Sequence, residues 1–173
     1  MPHASRHELY PPVWIAGLLL ALLGCAGAAA AQETPNHGLP NRHLTPGATD
    51  PRVTPANIGR TICVRGYTRT VRPVEAYTER LKRMQVRQYG YSNRRLHVYE
   101  EDHLVPLELG GHPSSPKNLW PEPRWGKESA QRKDHLENKL HHLVCEHRLS
   151  LRKAQRIFST DWVKGYEHFI GHW

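Results

Sequence analysis

Tyr99-Glu100-Glu101-Asp102-His103-Leu104-Val105-Pro106-Leu107-Glu108-Leu109-Gly110-Gly111 sets three carboxylates and an imidazole directly before an apolar run and a glycine pair. Residues from Leu96 to Val105 suit a strand, and Pro106 through Pro116, rich in Gly, Pro and Ser, read as a loop. Adjacent residues of a strand point to opposite faces, so Asp102 and His103 can serve one site only where the strand ends or bends. Pro106 and the Gly110-Gly111 pair fit such a departure. A solvated, charged strand end is the plain alternative, and the surrounding sequence has to decide between the two.

Downstream, Lys117-Asn118-Leu119-Trp120 forms a second extended piece closed by Pro121 and Pro123. A long helix is expected from Glu128 to Glu146, with Leu136, Leu140, Leu143 and Val144 as its core stripe and Lys133 continuing the same side. Two helices follow, one capped by Ser150 around Leu151 to Ile157 and one capped by Thr160 around Trp162 to Ile170. Upstream, Thr61 to Thr68 has the β-branched content of a strand or extended segment. Pro73 opens a helix whose apolar face would be Val74, Tyr77, Leu81 and Met84, stopped by Gly90. Trp120, Trp125 and Trp162 read as packing residues.

The 173-residue chain begins with Arg6, an apolar run from Val13 to about Ala26 and an alanine tract, the pattern of a cleavable export signal over residues 1–31. That run is shorter than the roughly 20 residues of a bilayer span. Leu22-Leu23-Gly24-Cys25 offers a different ending, since it resembles a lipobox that would anchor the chain through Cys25. Residues 32–57 have the composition of a flexible leader, leaving a folded domain over 58–173. The expected location is periplasmic or secreted, without a membrane span after cleavage. A formal charge of +8 and a pI near 9.7 suggest a polyanionic partner, and the signal removes only one Arg and one Glu together. Cys63 and Cys145 remain in the domain. In an oxidising compartment they are expected to pair, a staple worth on the order of 4 kcal/mol; two buried free thiols are the alternative.

Asp102-His103 leaving one strand, Asn118 entering the next and a helix behind them is the layout in which the sequence resembles HNH-type nucleases. The resemblance is carried by Asp102 to Gly111 ("DHLVPLELGG") and Asn118 to Pro121 ("NLWP"). It is similar to small exported bacterial HNH proteins also through Thr61 to Pro73, Lys133 to Leu140 and Leu149 to Trp162. The resemblance implies an α+β fold built on a ββα-metal (HNH, His-Me finger) core with flanking helices and one disulfide, Cys63 with Cys145. It further implies a metal-dependent endonuclease that hydrolyses phosphodiester bonds of nucleic acid, DNA first, with low sequence specificity.

Each part has a chemical reason. His103 is the expected general base, because imidazole titrates near neutrality. Asp102 is the expected metal ligand, since hard cations prefer carboxylate oxygen. Asn118 carries both donors and an acceptor with which to tie the loop. One position departs from the family: where a second metal-binding His or Asn is usual, Lys127 and Glu128 stand. Asp134, Glu137 and His141 form one helical stripe that supplies substitutes, Asp134 first and Glu137 next. One divalent ion is expected, Mg²⁺ before Mn²⁺ or Zn²⁺. His141, His142, Cys145 and His147 are the tightest His/Cys cluster, but neighbours on a helix face different ways, which argues against a four-ligand zinc site there. Arg94, Arg95, Arg124, Lys127 and Arg132 are the expected phosphate contacts, with no base-reading module in sight. The rival class is an exported basic protein or lipoprotein that binds polyanions on the same scaffold without cutting them.

Overall fold

The acidic stretch becomes β1 (Tyr99–His103), paired antiparallel with β2 (Leu119–Pro123) in a two-stranded sheet. The computed structural model describes residues 39–172. The expected signal, Cys25 and the start of the leader lie outside them. Tyr99 stands opposite Pro123, Glu101 opposite Pro121 and His103 opposite Leu119. The ladder continues past both ends, with Leu104 N–H donating to Asn118 O and Arg124 N–H to Val98 O. Alternation along an antiparallel pair then puts Pro121 and Pro123 at non-hydrogen-bonded positions, where a missing N–H costs nothing. The prolines therefore run within β2 instead of closing it.

Four helices surround the sheet: α1 (Tyr67–Val71), α2 (Glu75–Gln88), α3 (Ala130–Cys145) and α4 (Leu151–Phe169). The chain is thus mixed α and β, and α3 follows directly on the hairpin. Leu136, Leu140 and Val144 of α3 pack with Leu151, Ala154, Phe158 and Trp162 of α4 in one core that also takes in Tyr91, Tyr99 and Trp120. Ser150 caps α4 by accepting from Lys153 N–H. The expected break between two terminal helices is a kink at Asp161, and the cap of the second half is Asp161, which accepts from Lys164 N–H, and not Thr160. Among the described residues no helix is long and apolar enough to cross a membrane.

Three expectations are corrected. Thr61 to Gly66 form turns and Tyr67 starts α1, so no strand forms there; Gly66, at φ 84°, takes the left-handed conformation in which a strand cannot continue. The inner face of α2 is Leu81, Lys82, Gln85 and Val86, while Val74 and Met84 are 73% and 49% exposed. Gln85 faces inward, where its Nε2 donates to the Leu119 carbonyl on the unpaired edge of β2. Trp125 is 61% exposed, whereas Trp120 and Trp162 are buried.

Residues before Ile58 join the packed body. Thr45 is buried and bonds the Leu119 carbonyl and the Tyr89 hydroxyl. Thr49 bridges Gly111, and Gly47, Ala48 and Asp50 exchange backbone hydrogen bonds with Lys117, His112 and Gly110. At the opposite side Cys63 and Cys145 form a disulfide that fastens the 61–66 turns to the last residue of α3. Opening it by Cys63→Ser should lower unfolding free energy by about 4 kcal/mol, read from urea denaturation of the oxidised parent and the variant.

Candidate active site

The loop between the strands is shaped by one side chain. Asn118 Oδ1 accepts from Val105 N–H at 2.9 Å, and its Nδ2 donates to the carbonyls of Val105 and His112 at 3.0 and 3.1 Å. The amide thereby joins the outgoing and returning arms of the loop, and it is fully buried. Gly110 turns in the left-handed region at φ 71°. Gly111 passes so close beneath the outgoing arm that a Cβ would fall 1.7 Å from the Val105 carbonyl oxygen. Only glycine fits there. The returning arm then sets the Pro113 carbonyl 2.8 Å from His103 Nε2.

His103 ends β1 and is 3% exposed. Burial lowers its pKa, opposed by the Asp102 charge and the bond to Pro113. The ring is therefore neutral near pH 7, with Nε2–H donating to the Pro113 carbonyl and Nδ1 left with its lone pair. It lines a cleft of about 240 Å³ whose other walls include Arg72, Lys82, Glu100, Glu101 and Arg124.

On the other face of β1, Asp102 meets α3. Lys133, fully buried, donates to Asp102 and Glu137, and its ammonium lies 3.5 Å from Glu122. Burial alone would raise the Asp102 carboxyl, but the Lys133 ammonium bonded to it holds it far below the usual range. Burial pushes Glu122 well up, and the Asp102 charge adds to this, so Glu122 keeps a proton. Burial likewise lifts Glu137 to about 8, with Lys133 opposing. Asp134 is exposed one residue further along α3, and its carboxyl is raised by partial burial and by the nearby Asp102 charge.

The fit to a divalent cation follows from this. Lys133 bonds Asp102 and Glu137 alike, but burial leaves Glu137 protonated at neutral pH while Asp102 stays ionised, which makes Glu137 the weaker candidate ligand. Asp102 and Asp134 remain, close enough to feel one another, one half-buried and one exposed. Two carboxylates suit Mg²⁺, which keeps several waters and takes its remaining oxygens from a phosphate.

Arg124 lines the cleft and pairs with Glu100 at 3.0 Å. Arg94, Arg95 and Lys127 are exposed in the turns before β1 and after β2, and Arg132 is half-buried on α3; none of these four lines the cleft. His141, from the same helical stripe as Asp134, belongs elsewhere, since its Nε2 bonds the Ile62 carbonyl beside the disulfide. The residues that sequence reading missed are Arg72 and Lys82 in the cleft wall and Lys133 and Glu122 beneath Asp102. Arg72 carried a signal, since it stands before Pro73, where a helix must stop and expose its last side chain. No protein-family model, no curated protein and no solved structure matches the chain.

Both carboxylate oxygens of Glu101 are buried without a hydrogen-bond partner, and burial lifts this group to about 9. Its folded form keeps a proton that the unfolded chain sheds near 4.5, so its contribution to stability is present below 4.5 and lost as pH rises toward 9. Glu101→Gln should therefore raise the melting temperature at pH 8 and leave it nearly unchanged at pH 4, as measured by thermal unfolding at both pH values.

Proposed function

We propose that the protein is an exported, disulfide-braced endonuclease of HNH type, whose ββα-metal core is β1, the Asn118-tied loop, β2 and α3. The observation that carries this reading is His103: a neutral imidazole at a strand end, its Nε2 committed to the Pro113 carbonyl and its side chain in the wall of a polar cleft. A surface chosen only to bind polyanions has no use for a buried, oriented base. The substrate class is nucleic acid, DNA first, with phosphates met by Arg72, Lys82 and Arg124 and little discrimination between bases. The disulfide agrees with an oxidising, extracytoplasmic setting.

His103 Nδ1 takes a proton from water as the water oxygen attacks phosphorus, and the 3′ oxygen departs. Asn118 acts through His103, because the carbonyl that fixes the ring tautomer sits on the loop it ties. A divalent ion held by Asp102 and Asp134 would supply charge neutralisation at the phosphate and at the departing oxygen. Lys133 keeps Asp102 ionised and aimed. Arg72, whose positive charge reaches both His103 and Asp134, is placed to draw a phosphate into the cleft.

The test is supercoiled plasmid with Mg²⁺ or Mn²⁺, alongside a chelated control. Nicking by the parent chain should require metal and fall by about 10²- to 10⁴-fold in His103→Ala, and its pH profile should rise through a midpoint below 6.5. Asp134→Asn should raise the metal concentration needed, while Glu137→Gln leaves it unchanged. Intact plasmid under every metal, from folded and oxidised protein, would leave the noncatalytic polyanion-binding reading in possession.

A further inference from the structure

At the end of α3 remote from Lys133, three more side chains converge. Sγ of Cys63, Sγ of Cys145 and Nε2 of His141 lie within 4.8 Å of one another, and no other such trio of His, Cys, Asp or Glu ligand atoms occurs among the described residues. His141 precedes Cys145 by one helical turn, which stacks the two on one face. Its Nε2 stands 3.4 Å from the Cys145 sulfur. In tetrahedral zinc coordination, with Zn–S about 2.3 Å and Zn–N about 2.0–2.1 Å, sulfur and nitrogen sit about 3.5 Å apart. The pair already has the spacing of two zinc ligands.

A fourth donor lines the same cleft as this trio. Glu108, carried on the loop, has one carboxylate oxygen buried without a hydrogen-bond partner, and its carboxyl feels the charge of His141. Glu108, His141 and both cysteines line one cleft of about 430 Å³, which gives an ion a way in. In the oxidised chain the sulfurs are bonded to each other, and only thiolates bind zinc.

We propose that the dithiol form of the protein binds one Zn²⁺ through Cys63, Cys145 and His141, with Glu108 closing the tetrahedron. The same two cysteines then brace the turn to α3 as a disulfide when oxidised and as a zinc site when reduced. A dithiol reductant gives two electrons and two protons to the Cys63–Cys145 bond and is itself left as a disulfide. Zn²⁺ next displaces both thiol protons into solvent, and His141 Nε2 exchanges its bond to the Ile62 carbonyl for the metal, its proton moving to Nδ1. None of these residues belongs to the proposed nuclease centre.

The full chain would be reduced with a phosphine, freed of metal, and titrated with Zn²⁺ against a chromophoric chelator, with Co²⁺ as a spectroscopic probe and circular dichroism as a monitor of folding. One Zn²⁺ per reduced chain, none tightly held by the oxidised chain, and a thiolate-to-cobalt band with tetrahedral visible absorption are expected. His141→Ala should weaken binding by at least about tenfold, the lower bound set by what even outer-shell partners contribute, and Glu108→Gln should weaken it too. If reduction unfolds the chain, Zn²⁺ should refold it. The proposal fails if the reduced chain takes up no zinc, stays unfolded with it, or binds it as tightly when both His141 and Glu108 are replaced, since two loose thiols would then account for the uptake.

Discussion

Three hydrogen bonds from the Asn118 side chain hold the middle of this molecule together. The carboxamide is the one uncharged side chain that can accept from a backbone N–H and donate to two carbonyls at once. By doing so it closes the loop after β1 onto the start of β2, so the ladder begins at Leu104 and Asn118 without slack. Everything near His103 depends on that closure. The Pro113 carbonyl that fixes the ring comes from the returning arm, and Gly111 must be glycine because the arms touch there. Even residues 45–50 find their partners along this loop.

A second constraint ties α3 to the same strand. Lys133 is an ammonium without access to water, in a place where an unpaired charge would be prohibitive. Asp102, Glu122 and Glu137 surround it, and a proton kept on Glu122 relieves the crowding of negative charge. Such clusters add little net stability, but removing one partner leaves the others stranded and typically costs about 3–5 kcal/mol. The lysine therefore works as a register pin: α3 can lie against the hairpin in only one position, and that position sets exposed Asp134 near Asp102. His103 is the last residue of β1, so it and Asp102 sit where the strand ends, and the charge of Arg72 reaches both His103 and Asp134.

Much of this order is legible in the sequence because local signals and tertiary needs agree. The stretch running into Asp102-His103, the glycine pair, and the 136/140/144 stripe each mark an element that the structure contains. The disulfide is expected from the cysteine count and an assumed oxidising compartment, and Cys63 and Cys145 do pair. Failures arise where a tertiary demand overrides the local pattern. The apolar spacing of Val74, Tyr77, Leu81 and Met84 gives way to an inner face of Leu81, Lys82, Gln85 and Val86, in which Gln85 reaches the Leu119 carbonyl. Thr61 to Val64 have strand composition, but the bond from Cys63 to α3 and the glycine at 66 hold them in turns. Lys133 falls on the core side of α3 with Glu137 one turn on, but the acids of β1 and β2 that reach it, Asp102 and Glu122, are brought there by the tertiary fold and by no helical period.

The account turns on the claim that the loop delivers His103 as a neutral base with a bare Nδ1. Nitrogen-15 correlation spectroscopy of the imidazole in the oxidised protein at neutral pH reads this directly. The account predicts a single uncharged ring with its proton on Nε2, protected by the Pro113 carbonyl, and a pKa below the ordinary histidine value. A proton on Nδ1, or an imidazolium persisting at neutral pH, would contradict it.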